Sequence, residues 1–91
     1  MQLRWTEAAA VDIQQIADYL CEQLPAYAED TLLKLYEAPL GLLQFPFRGR
    51  IGRKVGTREM VVPSLPYIIV YAVSKETIHV VRILHGAQDY P

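Results

Sequence analysis

A single cysteine, Cys21, excludes an intramolecular disulfide framework and any cysteine-rich zinc site, and points to a reducing cytoplasm as the working compartment. Histidine is almost as scarce. His79 and His85 have no carboxylate or cysteine at a metal-ligand spacing around them, so no metal is expected. The glycines at 49, 52 and 56 match neither a phosphate-binding loop nor a dinucleotide fingerprint, and no cofactor is expected. Ser64 and Ser74 sit in turn sequences without a nucleophile elbow. No stretch approaches the length of uncharged apolar chain that a membrane span requires. Arg4 and Glu7 fall where an export signal needs an apolar run, so neither membrane nor leader is expected.

What is present is enough apolar chain for one modest core. With 52% hydrophobic residues in 91, the sequence supports one domain, residues 1–91, and not two. The net charge of -1 conceals a division. Residues 1–47 hold seven acids against two bases, and residues 48–91 hold seven bases against three acids. Two readings follow. Either the second half faces a polyanion or an acidic partner, or the halves neutralise each other in the fold.

Leu3 and Trp5 alternate with Gln2 and Arg4, which predicts a short half-buried strand over Met1 to Trp5. Thr6 can cap a helix. From Ala8 to Gln23, Ala9, Ile13, Ile16, Ala17 and Leu20 keep helical spacing, with Asp12, Gln15, Asp18 and Glu22 largely on other faces. Pro25 suits the first turn of a second helix that carries Ala28, Leu32, Leu35 and Tyr36, and the short connection implies an antiparallel hairpin. Pro39 and Gly41 predict a kink or an end near Ala38, followed by another turn through Leu40 to Gln44. The basic loop FPFRGRIGRKVG runs from Phe45 to Gly56, and Ile51 and Val55 are candidates for a short extra strand.

Two prolines three apart, in Pro63-Ser64-Leu65-Pro66, bar a continuous helix between two β-branched runs. Thr57 to Val62 and Tyr67 to Val73 therefore read as paired strands, and Ile78 to Leu84 as a third after the turn Ser74 to Thr77. The expected class is α+β: an antiparallel three- to four-stranded sheet with an N-terminal strand and an α-helical hairpin packed on it.

One enzymatic constellation can be assembled, a phosphodiester-cleaving site. It needs cations to stabilise charge on phosphorus, with an acid and a base on either side. Arg58, Arg82 and His85 are the candidates, with Glu59 or Tyr90 to complete the set. If Leu84 is core, Arg82 shares its face and needs a partner, for which Glu59 is the candidate. Arg48, Arg50, Arg53 and Lys54 in the basic loop could grip phosphate or carboxylate, and a solvated turn is the competing reading. Cys21, beside the apolar helical stripe, reads as a partly buried small hydrophobe.

The order of these segments and their residues, LRWTEAAAVDIQQIADYL, GRIGRKV, GTREMVV, PYIIVYAV and VVRILHGAQDYP, resembles the RelE/ParE superfamily of bacterial type II toxins over nearly the whole chain. The resemblance implies a growth-arresting toxin that a cognate antitoxin neutralises by laying an extended or helical segment over it. Contact with DNA is implied only indirectly, through the antitoxin, and stabilisation of a plasmid is the associated role. RelE-like members cut messenger RNA in the ribosomal A site, whereas ParE-like members poison DNA gyrase. Cleaving members usually hold a basic residue where this chain has Ile68, and the lysines of the preceding strand are missing from Glu59 to Val62. His85 falls where some cleaving members carry a catalytic histidine, and Tyr90 where a terminal aromatic stands. The balance implies the ParE-like branch with gyrase as target. Messenger cleavage, or weak toxicity in a complex that acts mainly through antitoxin binding, are the alternatives.

Overall fold

The computed structural model describes residues 1–86 and 88–91, so Ala87 in the closing segment lies outside the described residues. Strand β1 (Gln2–Trp5) leads into helices α1 (Glu7–Gln23) and α2 (Pro25–Glu37), and a 3-10 helix (Ala38–Leu43) extends the second. Four strands follow: β2 (Arg50–Ile51), β3 (Arg58–Val61), β4 (Tyr67–Ser74) and β5 (Thr77–His85). They form a five-stranded sheet in the order β1-β5-β4-β3-β2.

The expected α+β class holds, an N-terminal strand and a helical hairpin packed on a sheet, and the structure adds two details, one of them that the sheet is mixed and not antiparallel throughout. Of the two residues offered for a short extra strand, Ile51 forms one with Arg50 and Val55 does not, and β1 lies parallel to β5, with Gln2 opposite Thr77 and Trp5 opposite Val80. Alternation of apolar and polar residues fixes which face a strand buries, but it carries no information on the direction of the neighbour. Here the helical hairpin carries the chain from one edge of the sheet to the other. The first strand is thereby left free to dock beside the last.

Thr6 explains where α1 starts. Its hydroxyl oxygen accepts from Ala9 N at 3.1 Å and its hydroxyl donates to Val81 O at 2.9 Å. One side chain thus caps the helix and ties it to β5. Leu24 joins the helices, with Pro25 in the first turn of α2 as its missing donor allows. Pro39 ends the α-helix at Glu37, and the chain tightens into the 3-10 turn as far as Leu43, close to the limits read from sequence.

The core lies between the helices and one face of the sheet. Ala9 and Ile13 of α1, Leu35 of α2 and Leu42 of the 3-10 helix pack on Ile69 and Tyr71 of β4. Tyr71 is fully buried, and its phenol oxygen accepts from Gly49 N at 2.9 Å. No other residue fits at position 49, because a Cβ there would meet the Tyr71 oxygen at 2.6 Å and Glu59 O at 2.9 Å. Along β4 and β5 the register shifts between Val70 and Tyr71, which face Arg82 and Val80 and leave Val81 over. That bulge changes the aim of the side chains beside it.

Candidate functional site

Two surfaces gather the polar and exposed residues. The first is a groove of about 840 Å³ between the helical hairpin and the ends of β4 and β5. Ile16, Tyr19 and Leu20 of α1, Tyr27 of α2, and Tyr67 and Ile83 of the sheet give it an apolar lining. Burial, with the nearby Tyr19 phenol, pushes the Tyr67 hydroxyl above its usual range. Its ring meets the His85 ring edge-on at 5.9 Å.

Asp12 and Arg82 form one wall of that groove. Arg82 Nε and Nη2 donate to the two Asp12 oxygens at 2.7 and 3.1 Å, and Ile83 N donates to Oδ2 at 2.9 Å. Since β1 pairs with β5 only as far as Val80, Asp12 takes over the satisfaction of the open strand edge beyond it. The hydrogen-bonded carboxylate outweighs burial and raises the basicity of Arg82. The expected Arg82–Glu59 pair is therefore corrected. Val70 stands between them in register, opposite Glu59 on one side and Arg82 on the other, and Glu59 is already engaged elsewhere.

Glu59 is the centre of the second surface. Its side chain is 1% exposed and accepts from Arg50 Nη2 at 3.0 Å, Arg53 Nε at 3.0 Å and Arg53 N at 2.9 Å. Burial alone would raise its pKa, but the bonds from Arg53 and Arg50 win and hold it at about 2. The Arg53 guanidinium lies 5.4 Å from the Tyr90 ring centre. Arg58 is fixed differently. It stacks 5.1 Å from the Phe47 ring centre and donates from Nη1 to Gly49 O at 2.8 Å and Phe47 O at 3.2 Å. Arg48 and Lys54 are exposed and meet no carboxylate among the described residues.

The four candidates for phosphodiester chemistry are each held by different neighbours. Arg58 is on Phe47, Arg82 on Asp12, His85 beside Tyr67 and Tyr90 beside Arg53. Of the four loop cations, Arg50 and Arg53 are tied to Glu59, whereas Arg48 and Lys54 are not. Sequence reading missed Asp12, which it placed off the buried stripe. The residue is 9% exposed, and its place one position before Ile13 on the helix was the available signal. Cys21, read as partly buried, is exposed. Among the described residues no cluster of histidine, cysteine and carboxylates could hold a metal ion, and no helix is long and apolar enough to cross a membrane.

The charge division survives folding. Asp12–Arg82 is the one ion pair that joins the acidic half to the basic half among the described residues; Asp30–Lys34 lies within the first and the Glu59 pairs within the second.

Residues 3–90 match the family described as the ParE toxin of the type II toxin-antitoxin system, parDE. Toxin RelE2 of Caulobacter vibrioides is 37% identical over 87 residues, which cover 96% of this chain and 97% of that protein. Y4kP of Sinorhizobium fredii, also named as a toxin, is 31% identical over 90 residues, covering 99% and 93%. A solved structure described as the chromosomal ParDE system from P. aeruginosa superposes with a TM-score of 0.84 at 25% identity, covering 93% of this chain and 95% of that one.

Proposed function

The chain belongs to the ParE toxin family of type II toxin-antitoxin systems, and from that premise we propose that it arrests growth by inhibiting DNA gyrase and is neutralised by a cognate antitoxin. The observation that carries the choice of gyrase over messenger cleavage is the prior engagement of the candidate cations, Arg58 with Phe47 and the Gly49 carbonyl and Arg82 with both Asp12 oxygens, although Arg82 and His85 line the same groove. General acid-base cleavage requires an acid, a base and a cation around one phosphorus. Ile68 adds to this. It lies in mid-sheet opposite Val61 and Leu84, at the position where cleaving relatives carry a cation.

Inhibition by binding needs a surface instead of a constellation. Arg48, Arg50, Arg53 and Lys54 offer one, with net positive charge and guanidinium groups suited to carboxylates or phosphates. The apolar groove beside α1 and α2 suits an antitoxin segment with apolar side chains at helical spacing. Action in the cytoplasm without cofactor or metal completes the reading.

The second reading, ribosome-dependent messenger cleavage, is kept by the 37% identity to a protein named RelE2. One experiment separates them. Gyrase supercoiling and DNA-cleavage assays are run beside primer extension on translated messenger. Loss of supercoiling with intact messenger is expected, and codon-periodic cuts with normal gyrase would overturn the proposal.

A further inference from the structure

The sheet buries side chains on the side away from the helices as well. Tyr67, Ile69 and Tyr71 of β4 point into the core beneath the hairpin, so Val70 between them points the other way. Leu84 stands opposite Ile68 and shares that outer face. Both Val70 and Leu84 are fully buried, yet neither belongs to the core cluster that the helices cover. Their cover comes from elsewhere in the chain.

The C-terminal tail is in place to supply it. At the end of β5, His85 N donates to Gln88 Oε1 at 3.3 Å, Gln88 N donates back to His85 O at 2.9 Å, and Gly86 N donates to Pro66 O at 2.7 Å. Tyr90 then meets Arg53, whose guanidinium lies 5.4 Å from its ring centre. Arg82, held above its ordinary basicity first by Asp12, feels the Tyr90 phenol as well. These two arginines flank Val70: Arg82 faces it from β5, and Arg53 is bonded to Glu59, which faces it from β3. A ring that reaches both cations lies over Val70. Beyond Gln88, no backbone hydrogen bond or ion pair fastens Asp89 or Pro91 among the described residues, so the half-buried Tyr90 ring is the grip of the tail.

We propose that Tyr90 is a latch over a binding site on the outer face of the sheet, and that the site takes an aromatic ring carrying a negative charge. The floor, Val70 and Leu84, is apolar, and guanidinium groups stand on both sides, so a flat ring gains burial and contact with cations together. The charge follows from the ion pairs. Arg50, Arg53 and Arg82 meet the carboxylates of Glu59 and Asp12, three cations on two anions, which leaves one positive charge over. Tyr90 brings the ring and only a hydroxyl. A ligand that brings ring and charge competes with the tail, and its apparent affinity is lowered by the fraction of molecules whose latch is open. The latch stands whether or not the chain acts on gyrase.

Tyr90→Ala in the full chain, with phenyl phosphate as the probe, tests the proposal. The melting temperature should fall by about 4–8 °C, and the methyl resonances of Val70 and Leu84 should move as the ring above them is lost. Phenyl phosphate should bind the variant with a dissociation constant on the order of one millimolar. It should shift those same methyls, and at roughly ten times that concentration it should recover most of the lost melting temperature. The wild type, and Tyr90→Phe, which keeps the ring, should bind about tenfold more weakly or less tightly still. Inorganic phosphate and phenol, each half of the probe, should also fall about tenfold short on the alanine variant. Equal binding by the wild type, or shifts at Tyr19 and Tyr67 in place of Val70 and Leu84, overturns the site. Recovery by inorganic phosphate alone overturns the place given to a ring. An alanine variant with unmoved methyls overturns the latch, and so does one that fails to fold, because a latch opens on a folded sheet.

Discussion

Asp12 and Arg82, 70 residues apart in sequence, are joined by two hydrogen bonds of 2.7 and 3.1 Å, and Asp12 also satisfies the backbone of Ile83. Helix α1 is thus anchored to the open edge of the last strand by one carboxylate. Removing it orphans a backbone donor and a partly buried guanidinium together. Asp12→Ala is expected to lower stability by about 2–3 kcal/mol, below the roughly 3–5 kcal/mol of a fully buried pair because Arg82 keeps some access to water. Asp12→Asn, which retains an acceptor for Ile83 N, should cost less. Urea unfolding with an unchanged m-value checks both, and equal effects of the two changes would refute the role given to Ile83.

Acid should act through Glu59. Its pKa is lowered in the fold from 4.5 to about 2, so its stabilising contribution is fully present above about 4.5 and is lost as pH falls through about 2. The shift corresponds to roughly 3 kcal/mol. Glu59→Gln should flatten this part of the stability-pH curve, read by thermal melts from neutral pH down to about 2. A curve of the same shape in the variant would place the acid sensitivity elsewhere.

Gly49 and Tyr71 make a steric prediction. Gly49→Ala puts a carbon 2.6 Å from the Tyr71 oxygen, and the tyrosine is fully buried and cannot retreat. A loss of about 2–3 kcal/mol is expected. Tyr71→Phe should cost about 1–2 kcal/mol by leaving Gly49 N without its acceptor. Chemical denaturation of the two single variants and the double gives their coupling, and additive effects would exclude the contact.

Tyr19 and Tyr27 line the apolar groove and are 57% and 66% exposed. Tyr19→Asp or Tyr27→Asp should change stability by no more than about 0.5 kcal/mol. Each should weaken capture by the proposed cognate antitoxin at least tenfold, about 1.4 kcal/mol. Interferometry with immobilised antitoxin measures it. Undiminished binding by both folded variants would move the antitoxin off this groove.

The helical hairpin, its break at Pro39 and the three long strands were legible because local chemistry determines them. Thr6 caps, Pro25 starts, Pro39 stops, and Pro63 and Pro66 turn. The parallel docking of β1 was not legible, since it depends on which edge of the sheet remains free after the hairpin has crossed it. Nor was the partner of Arg82. The leftover Val81 disturbs the period-2 rule just where the rule was applied, and Asp12 reaches the same place from a helix. The cations of the loop were visible as a group. Which of them Glu59 claims depended on the two-residue strand β2, too short to leave a pattern.

The docking of Gln2–Trp5 against Thr77–Val80 joins the beginning of the chain to its last strand. On a translating ribosome, β1, Thr6 and Asp12 have no partner until that strand has cleared the exit tunnel. The sheet therefore closes only once β5 has emerged, and a nascent chain cut short before Thr77 should fail to fold.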